Sequence, residues 1–344
     1  MRERVKQWRQ KVTSFLEKHI KPQSIQMTIA LSFTIVSVIS MGILGISLYN
    51  RFVNKMEDMT TQSAEQLLNQ TAINLESYLR NMRRISDAMY YSVIKDKDLA
   101  TDSLDEEMNL LYEANKDNLI SIACYTNDGR LVAAAPVATE KNNLDIVDQE
   151  WFTEATGQME NVHFSTPHVQ NLFDDPSYRY YWVVSLSQAV ELTSGGNSTL
   201  GVLLVDMNYS SIEQLLTKAN TDNASEYVYL MDGSGELFYH TENKEIYTDL
   251  FSENNLVAAS YEDGSHKEEY DGEKRIVTVK TISYTGWKIV SVVPMSSFDM
   301  GISGMRMFVI LLMSLSMLMI ILLNQFVSAN IAKPLKRLND SVKD

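Results

Sequence analysis

His163 and His168, with Asp174 and Asp175 close by, are the residues of this sequence most suited to hold a metal ion. Two histidines five apart fall on opposite faces of one strand, which favours ordinary polar or pocket-lining roles over shared coordination. A second group suggests different chemistry: Trp151 and Phe152, then His168 and Gln170, then Tyr178 to Trp182 (YRYYW), and last Asp206. Aromatic walls with a few convergent polar groups are what a small-molecule pocket requires. Trp151, Phe152, His168, Gln170, Arg179, Tyr181 and Asp206 form the candidate ligand-binding set. The plainer alternative makes Trp151, Phe152 and Trp182 core, Arg179 a surface charge, and Asp206 the cap of a helix opening at Ser210. The chain has no phosphate-binding GxxxxGKS/T, HExxH, GxSxG or GxGxxG pattern, so neither catalysis nor a cofactor is expected within it.

The elements that must position this group are legible in the turn chemistry. Leu119–Tyr125, a turn at Thr126–Gly129 and Arg130–Ala135 read as a hairpin, since Asp-Gly supplies the positive φ that tight turns need. Glu226–Met231, Asp232–Gly235 and Glu236–His240 repeat the unit, and each repeat is closed by an apolar strand after a glycine, Gly201–Asp206 and Gly286–Val293. Two similar α/β modules follow, about 92–220 and 221–298. Ahead of them a stretch free of Gly and Pro, 51–91, reads as a long stalk helix. Its Leu68, Ala72, Leu75, Leu79, Met82, Ser86 and Met89 alternate in steps of four and three. That spacing suits pairing with a second copy of the chain, or packing on its own domain.

Charge sets the outer boundaries. The 344 residues are 45% hydrophobic and carry a net charge of -14, which speaks against nucleic acid as a partner, and one cysteine allows no intrachain disulfide. Residues 27–49 and 307–329 contain no Asp, Glu, Lys or Arg. Each is long enough to cross a hydrocarbon core of about 30 Å. Residues 1–26 hold seven Lys/Arg against two acids and 330–344 hold four against two, whereas 50–306 holds 40 acids against 19 basic residues. By the positive-inside rule both termini are cytoplasmic, the middle is extracellular, and the basic tail also suits contact with membrane lipid. Two anchors on one outer domain suit a receptor, because they let an outside event be felt inside.

A stalk helix between membrane spans, tandem PAS-like modules with Asp-Gly hairpins, Asp148–Ala155 (DQEWFTEA), and Gly286-Trp287 leading to Val293-Pro294 resemble a double Cache extracellular sensor. The tail Asn330–Leu338 (NIAKPLKRL) is similar to the opening of a HAMP linker, and the combination resembles the input half of a YesM-type sensor histidine kinase. The resemblance implies an α+β membrane protein with antiparallel-sheet modules, working as a homodimer that senses a small polar solute and relays the event through Pro294, Gly301 and Pro334. Chemoreceptors and diguanylate cyclases share such input halves, and an ectodomain that docks a solute-binding protein is the alternative of another class. Amino-acid-binding relatives carry an Arg where this chain has Gln149, a Tyr at Phe152, and a Tyr and an Asp at His168 and Gln170, while Trp151 and Asp206 match. Loss of that Arg removes a charge-assisted contact to a carboxylate. An uncharged polar ligand such as a sugar is therefore expected over an amino acid. The chain stops inside the linker pattern, so it reads as a fragment of a longer receptor or a truncated frame.

Overall fold

The computed structural model describes residues 25–137, 139–141, 144–158, 162–174, 180–220, 226–242 and 252–327. The chain divides into two compact units, Thr60–Ser297 and the segments on either side of it. Asp175, Tyr178, Arg179 and Pro334 lie outside the described residues.

The flanking unit contains the apolar parts of two helices, α1 (Ile25–Met89) and α6 (Asp299–Val327). Both are long and apolar enough to cross a membrane. Their large side chains, such as Phe33, Ile43, Met307 and Leu311, are exposed, a surface that suits lipid and not water. The helices approach closely where Gly45 faces Met313, since a Cβ at Gly45 would sit 3.0 Å from the Met313 sulfur. Gly301 lies inside α6, and Pro294 ends the last strand, ahead of a 3-10 turn at Met295–Phe298.

In the central unit the rest of α1 ends in a π-helical turn, Tyr90–Ile94. Helix α2 (Asp105–Asn115) follows, with three acids in its first turn that complement the helix dipole. Strands β1 (Leu119–Thr126), β2 (Leu131–Ala135), β3 (His163–Phe164), β4 (His168–Val169), β5 (Trp182–Ser194) and β6 (Asn197–Asn208) form the first sheet. Its order is β2-β1-β6-β5-β3, with β4 also on β5, and every pairing is antiparallel. Helix α3 (Glu150–Gly157) lies between β2 and β3 in sequence, and α4 (Ser210–Asn220) follows β6. The second sheet has the order β8-β7-β11-β10-β9, built from β7 (Tyr227–Met231), β8 (Leu237–Tyr239), β9 (Gly264–Tyr270), β10 (Glu273–Thr281) and β11 (Lys288–Pro294), with the short α5 (Asn255–Ala259) between β8 and β9.

Turn residues explain the connections. Gly129 and Gly235 take φ of 80° and 97° at the two Asp-Gly hairpins, and Gly195-Gly196 (59° and 77°) close the long β5–β6 hairpin. The Asp98 carboxylate accepts the N–H groups of Gly195 (2.7 Å) and Gly196 (3.1 Å), which pins that tip. Gly201 is required for another reason: a Cβ there would lie 2.5 Å from the Tyr125 carbonyl oxygen. Because backbone cannot yield as a side chain does, Gly201→Ala is expected to cost about 1–3 kcal/mol, read as a lower chemical-denaturation midpoint.

The stalk seam has a single occupant. Leu68, Ala72, Leu75, Leu79, Met82 and Met89 are buried in one hydrophobic cluster with Val184, Leu186 and Val205 of the first sheet and Val228, Leu230 and Ile289 of the second. Ser86 is buried with them. The four-three spacing thus serves the chain's own domain, and these residues are not available as a seam to a second copy. Polar contacts follow the same course: Tyr78 donates to the Asn208 carbonyl (2.8 Å), and the Ser283 N–H donates to Glu76 (3.1 Å).

The second module buries an ionic cluster of its own. Glu253 accepts from Arg275 Nη2 (2.6 Å), the Tyr227 hydroxyl (2.6 Å) and the Asn254 N–H (2.8 Å). Arg275 Nε donates to Glu268 (2.6 Å). His240 Nδ1 accepts the Glu242 N–H at 2.9 Å, so its proton sits on Nε2, which faces Glu253 at 3.5 Å.

Candidate functional site

The period of two in a strand sends alternate residues of the first sheet to opposite faces. On one face Ile122, Cys124, Val184, Leu186, Leu203 and Val205 join the cluster against α1. On the other, Ala123, Tyr125, Val202 and Leu204 pack with Phe152 and Ala155 of α3 and with Leu172 and Phe173. This second face is not filled throughout. A cavity of about 320 Å³ remains beside it, a volume within the range of small-ligand pockets.

Its floor is a cross-strand row. In β6 Asp206 stands directly opposite Ser121 of β1 and Ser185 of β5. Ser121 Oγ donates to Asp206 Oδ2 at 2.7 Å, and Ser185 Oγ donates to Oδ1. Asp206 is 2% exposed. Burial raises its carboxyl above the ordinary range, while the two serine hydroxyls and the nearby His168 pull it part of the way back. Gln149, Glu150, Trp151 and Glu154 cover the floor from α3 and its N-terminal approach, and Leu172 and Asn171 close one side. Trp151 is held edge-on to Phe152 (5.7 Å between ring centres) and tilted against Tyr125 (5.4 Å).

The two histidines both reach this cavity, contrary to the expectation of opposite faces. Thr166-Pro167 break the chain between β3 and β4, and each short strand pairs separately with β5, so the five-residue spacing does not run along one strand. His163 faces Glu154 at 3.5 Å. His168 Nδ1 lies 2.9 Å from the Thr166 carbonyl, and its Nε2 lies 3.3 Å from Ser185 Oγ. Among the described residues no group of three or more His, Cys, Asp or Glu forms a metal cage.

Of the expected ligand-binding residues, Trp151, His168, Gln170 and Asp206 are brought together here. Phe152 is not: it is buried in the cluster beneath α3 and supports Trp151 from behind. Tyr181 is absent from the lining, and its carbonyl accepts the Gln170 N–H (2.8 Å). Asp206 caps no helix, since Asn208 accepts the Ser210 N–H (3.0 Å) instead. Ser121, Ser185, Ser187, Glu150 and Glu154 were not expected. Serines at period two on β5 (Ser185, Ser187) were the one available signal, because a strand buried on both faces is otherwise apolar.

In the second module Trp287 is buried in the main cluster against Phe238. Tyr239 belongs to the same cluster, and His240 is buried beside Tyr227 and Tyr229.

The sequence profile of the Cache domain family covers residues 52–301. A probable methyl-accepting chemotaxis protein of Bacillus thuringiensis subsp. konkukian is 23% identical over 341 residues, 95% of this chain and 48% of that protein. The methyl-accepting chemotaxis protein TlpA of Bacillus subtilis is 21% identical over 93% of this chain and 46% of its own length. The chain thus spans about half the length of these curated relatives. Among solved structures, the ligand-binding domain of Mlp24 with asparagine matches 73% of this chain and 98% of its own, at TM-score 0.54 and 17% identity. The ligand-binding domain of the Pseudomonas aeruginosa chemoreceptor PctC with GABA matches 68% and 99%, at 0.52 and 16%. That of Campylobacter jejuni Tlp3 with 4-methylisoleucine matches 69% and 91%, at 0.53 and 14%.

Proposed function

This chain belongs to the Cache domain family, and from that premise we propose that it is the ligand-sensing input of a membrane receptor whose first module reads a small polar solute. The observation that carries the reading is the cavity between α3 and the first sheet, floored by the buried Asp206 and walled by Trp151. A receptor that only docks a solute-binding protein has no need of such a cavity. In this reading residues 50–306 face the outside and both termini the cytoplasm, which the charge asymmetry supports. In a homodimer, ligand binding would shift α6 relative to its copy, with Pro294, Gly301 and Pro334 along the route to the output.

The curated relatives are chemotaxis proteins, which supports a chemoreceptor output and lends none to the YesM-type kinase. Reading the coding sequence past the codon for Asp344 separates the two. A long heptad-patterned helical hairpin supports the chemoreceptor, whereas an ATP-binding domain overturns it. For the ligand, the solved neighbours hold amino acids and GABA, so a ligand of amino-acid size is favoured over a sugar, which no comparison supports.

A thermal-shift screen of the full chain in lipid nanodiscs against amino acids, amines, sugars and organic acids tests the reading. A ligand at 100 times its Kd is expected to add about 2.7 kcal/mol. Trp151→Ala is expected to weaken it by roughly tenfold or more by removing an aromatic wall. Silence across the panel with a well-folded protein contradicts a small-molecule receptor.

A further inference from the structure

The second module repeats the framework of the first, and strand register shows how it uses the corresponding face. At the two Asp-Gly hairpins the N–H groups of Thr126 and Asp232 donate to the Arg130 and Glu236 carbonyls, so these two positions are equivalent. Counted back from them, the row Ser121, Asp206 and Ser185 of the first sheet corresponds to Tyr227, Val292 and Val277 of the second. The polar floor has no counterpart there. Tyr229, Val277, Val290 and Val292 fill the face instead, with Ala258 of α5 packed over them. Arg275 stands two residues before Val277 on the same side of β10, and it is buried. Four groups grip its guanidinium. Nη2 donates to Glu253 and Nε to Glu268, both at 2.6 Å. Nη1 donates to the Tyr227 hydroxyl at 3.2 Å, and the Tyr270 ring lies 4.6 Å from the guanidinium carbon. One acid would suffice to neutralise Arg275. The second acid, the hydroxyl and the ring face add direction and shape, which is how a planar fork is told from a point charge.

We propose that the second module is a guanidinium-binding site that the chain fills with its own Arg275, an internal ligand that holds α5 shut on β9, β10 and β11. The same acids that receive the guanidinium also fasten the cover. Glu253 lies two residues ahead of α5, and Glu268 of β9 accepts from Asn254 (3.0 Å) and from the Tyr261 hydroxyl (3.0 Å), one on each side of that helix. Lys288 of β11 secures the far end through the Ala259 and Tyr261 carbonyls, at 2.6 and 2.7 Å. Strand β11 runs into Pro294 and, after a 3-10 turn, into α6. A module shut in this way gives that strand one fixed setting and takes up no free solute.

Removal of the internal ligand should leave a site for a free one. Arg275→Ala deletes the atoms that N-ethylguanidinium contains, so that compound is the probe. N-ethylurea is its neutral counterpart, and ethylammonium is a cation without the fork. In the full chain in nanodiscs, millimolar ethylguanidinium is expected to restore roughly half or more of the thermal midpoint lost in R275A, with saturation. Ethylurea and ethylammonium are expected to restore little. Adding E253Q to R275A is expected to weaken the rescue by roughly tenfold or more. If R275A does not fold by itself, the same comparison is read as probe-dependent recovery of the folded circular-dichroism signal. Recovery with ethylguanidinium no greater than with sodium chloride at the same concentration, or matched by ethylurea, overturns the proposal. The wild type supplies a second measurement. With 15N-arginine labelling, the Nη hydrogens of Arg275, identified by their loss in R275K, are expected to give separate signals, and a single averaged signal overturns the seated guanidinium. Neither readout involves the first-module cavity, so a failed solute screen there leaves this site standing, and failure of the rescue leaves the solute receptor standing.

Discussion

Arg275→Met is expected to destabilise the folded chain by about 3–5 kcal/mol, because it removes one partner of a buried ion pair and strands the other. The Arg275 side chain is 7% exposed and that of Glu253 is fully enclosed. For a unit of this size the loss corresponds to a drop in thermal midpoint of roughly 6–20 °C. Burial pushes the Glu253 carboxyl up, but bonds from His240, Tyr227, Arg275 and the Asn254 N–H outweigh it and hold the carboxyl below its ordinary value. A carboxyl lowered in the folded state contributes stability above its unfolded value and loses it as pH falls through the folded one. Wild-type stability is therefore expected to decline in acid, and Glu253→Gln to flatten that decline. A double change of Arg275→Met with Glu253→Leu should recover only part of the single loss, since it removes one stranded charge and leaves Glu268, the other buried acid that Arg275 pairs with. Denaturant titrations at neutral and acid pH check each outcome, and an Arg275→Met protein as stable as wild type would show that the cluster holds nothing together.

Leu79→Ala is expected to cost about 2–5 kcal/mol, the range for emptying a fully buried leucine site. Leu79 lies in the cluster that joins α1 to both sheets. Links between the modules reinforce that cluster, with Tyr209 donating to the Phe238 carbonyl (2.8 Å) and Thr217 paired with Tyr239 (3.1 Å). The substitution should lower one common unfolding transition, seen together by probes in each module. Two separated transitions, with only one moved, would contradict a shared core.

The modules were readable because their signals are local. Asp-Gly turns, alternating strands and a long Gly-free helix each occupy a continuous stretch, and the physics that shapes them acts over a few residues. The direction in which α1 packs was not local. Its four-three spacing satisfies a partner helix or a sheet equally well, and only the apolar faces of both sheets settle the choice.

The cavity floor lay further out of reach. Ser121 and Asp206 are separated by 85 positions and Ser185 and Asp206 by 21, so their alignment is a property of strand register. A serine in a strand carries no distinguishing mark until its cross-strand neighbour is known. Trp151 and Asp206 are conspicuous in the sequence as a bulky aromatic and an acid near strands, and both line the cavity. Phe152 shares its neighbour's aromatic character, but consecutive helical residues point about 100° apart, and it is Phe152 that faces the core while Trp151 lines the cavity.

Hydrogen exchange on the full chain, with and without a compound that stabilises it, tests most directly whether the first-module cavity is where the signal enters. The account predicts slower exchange in Gln149–Glu154 and His163–Gln170, the segments that cover and wall the cavity, with the strands of the second module unchanged at their edges. Protection confined to the second module or to α1 would place the ligand elsewhere and contradict the assignment.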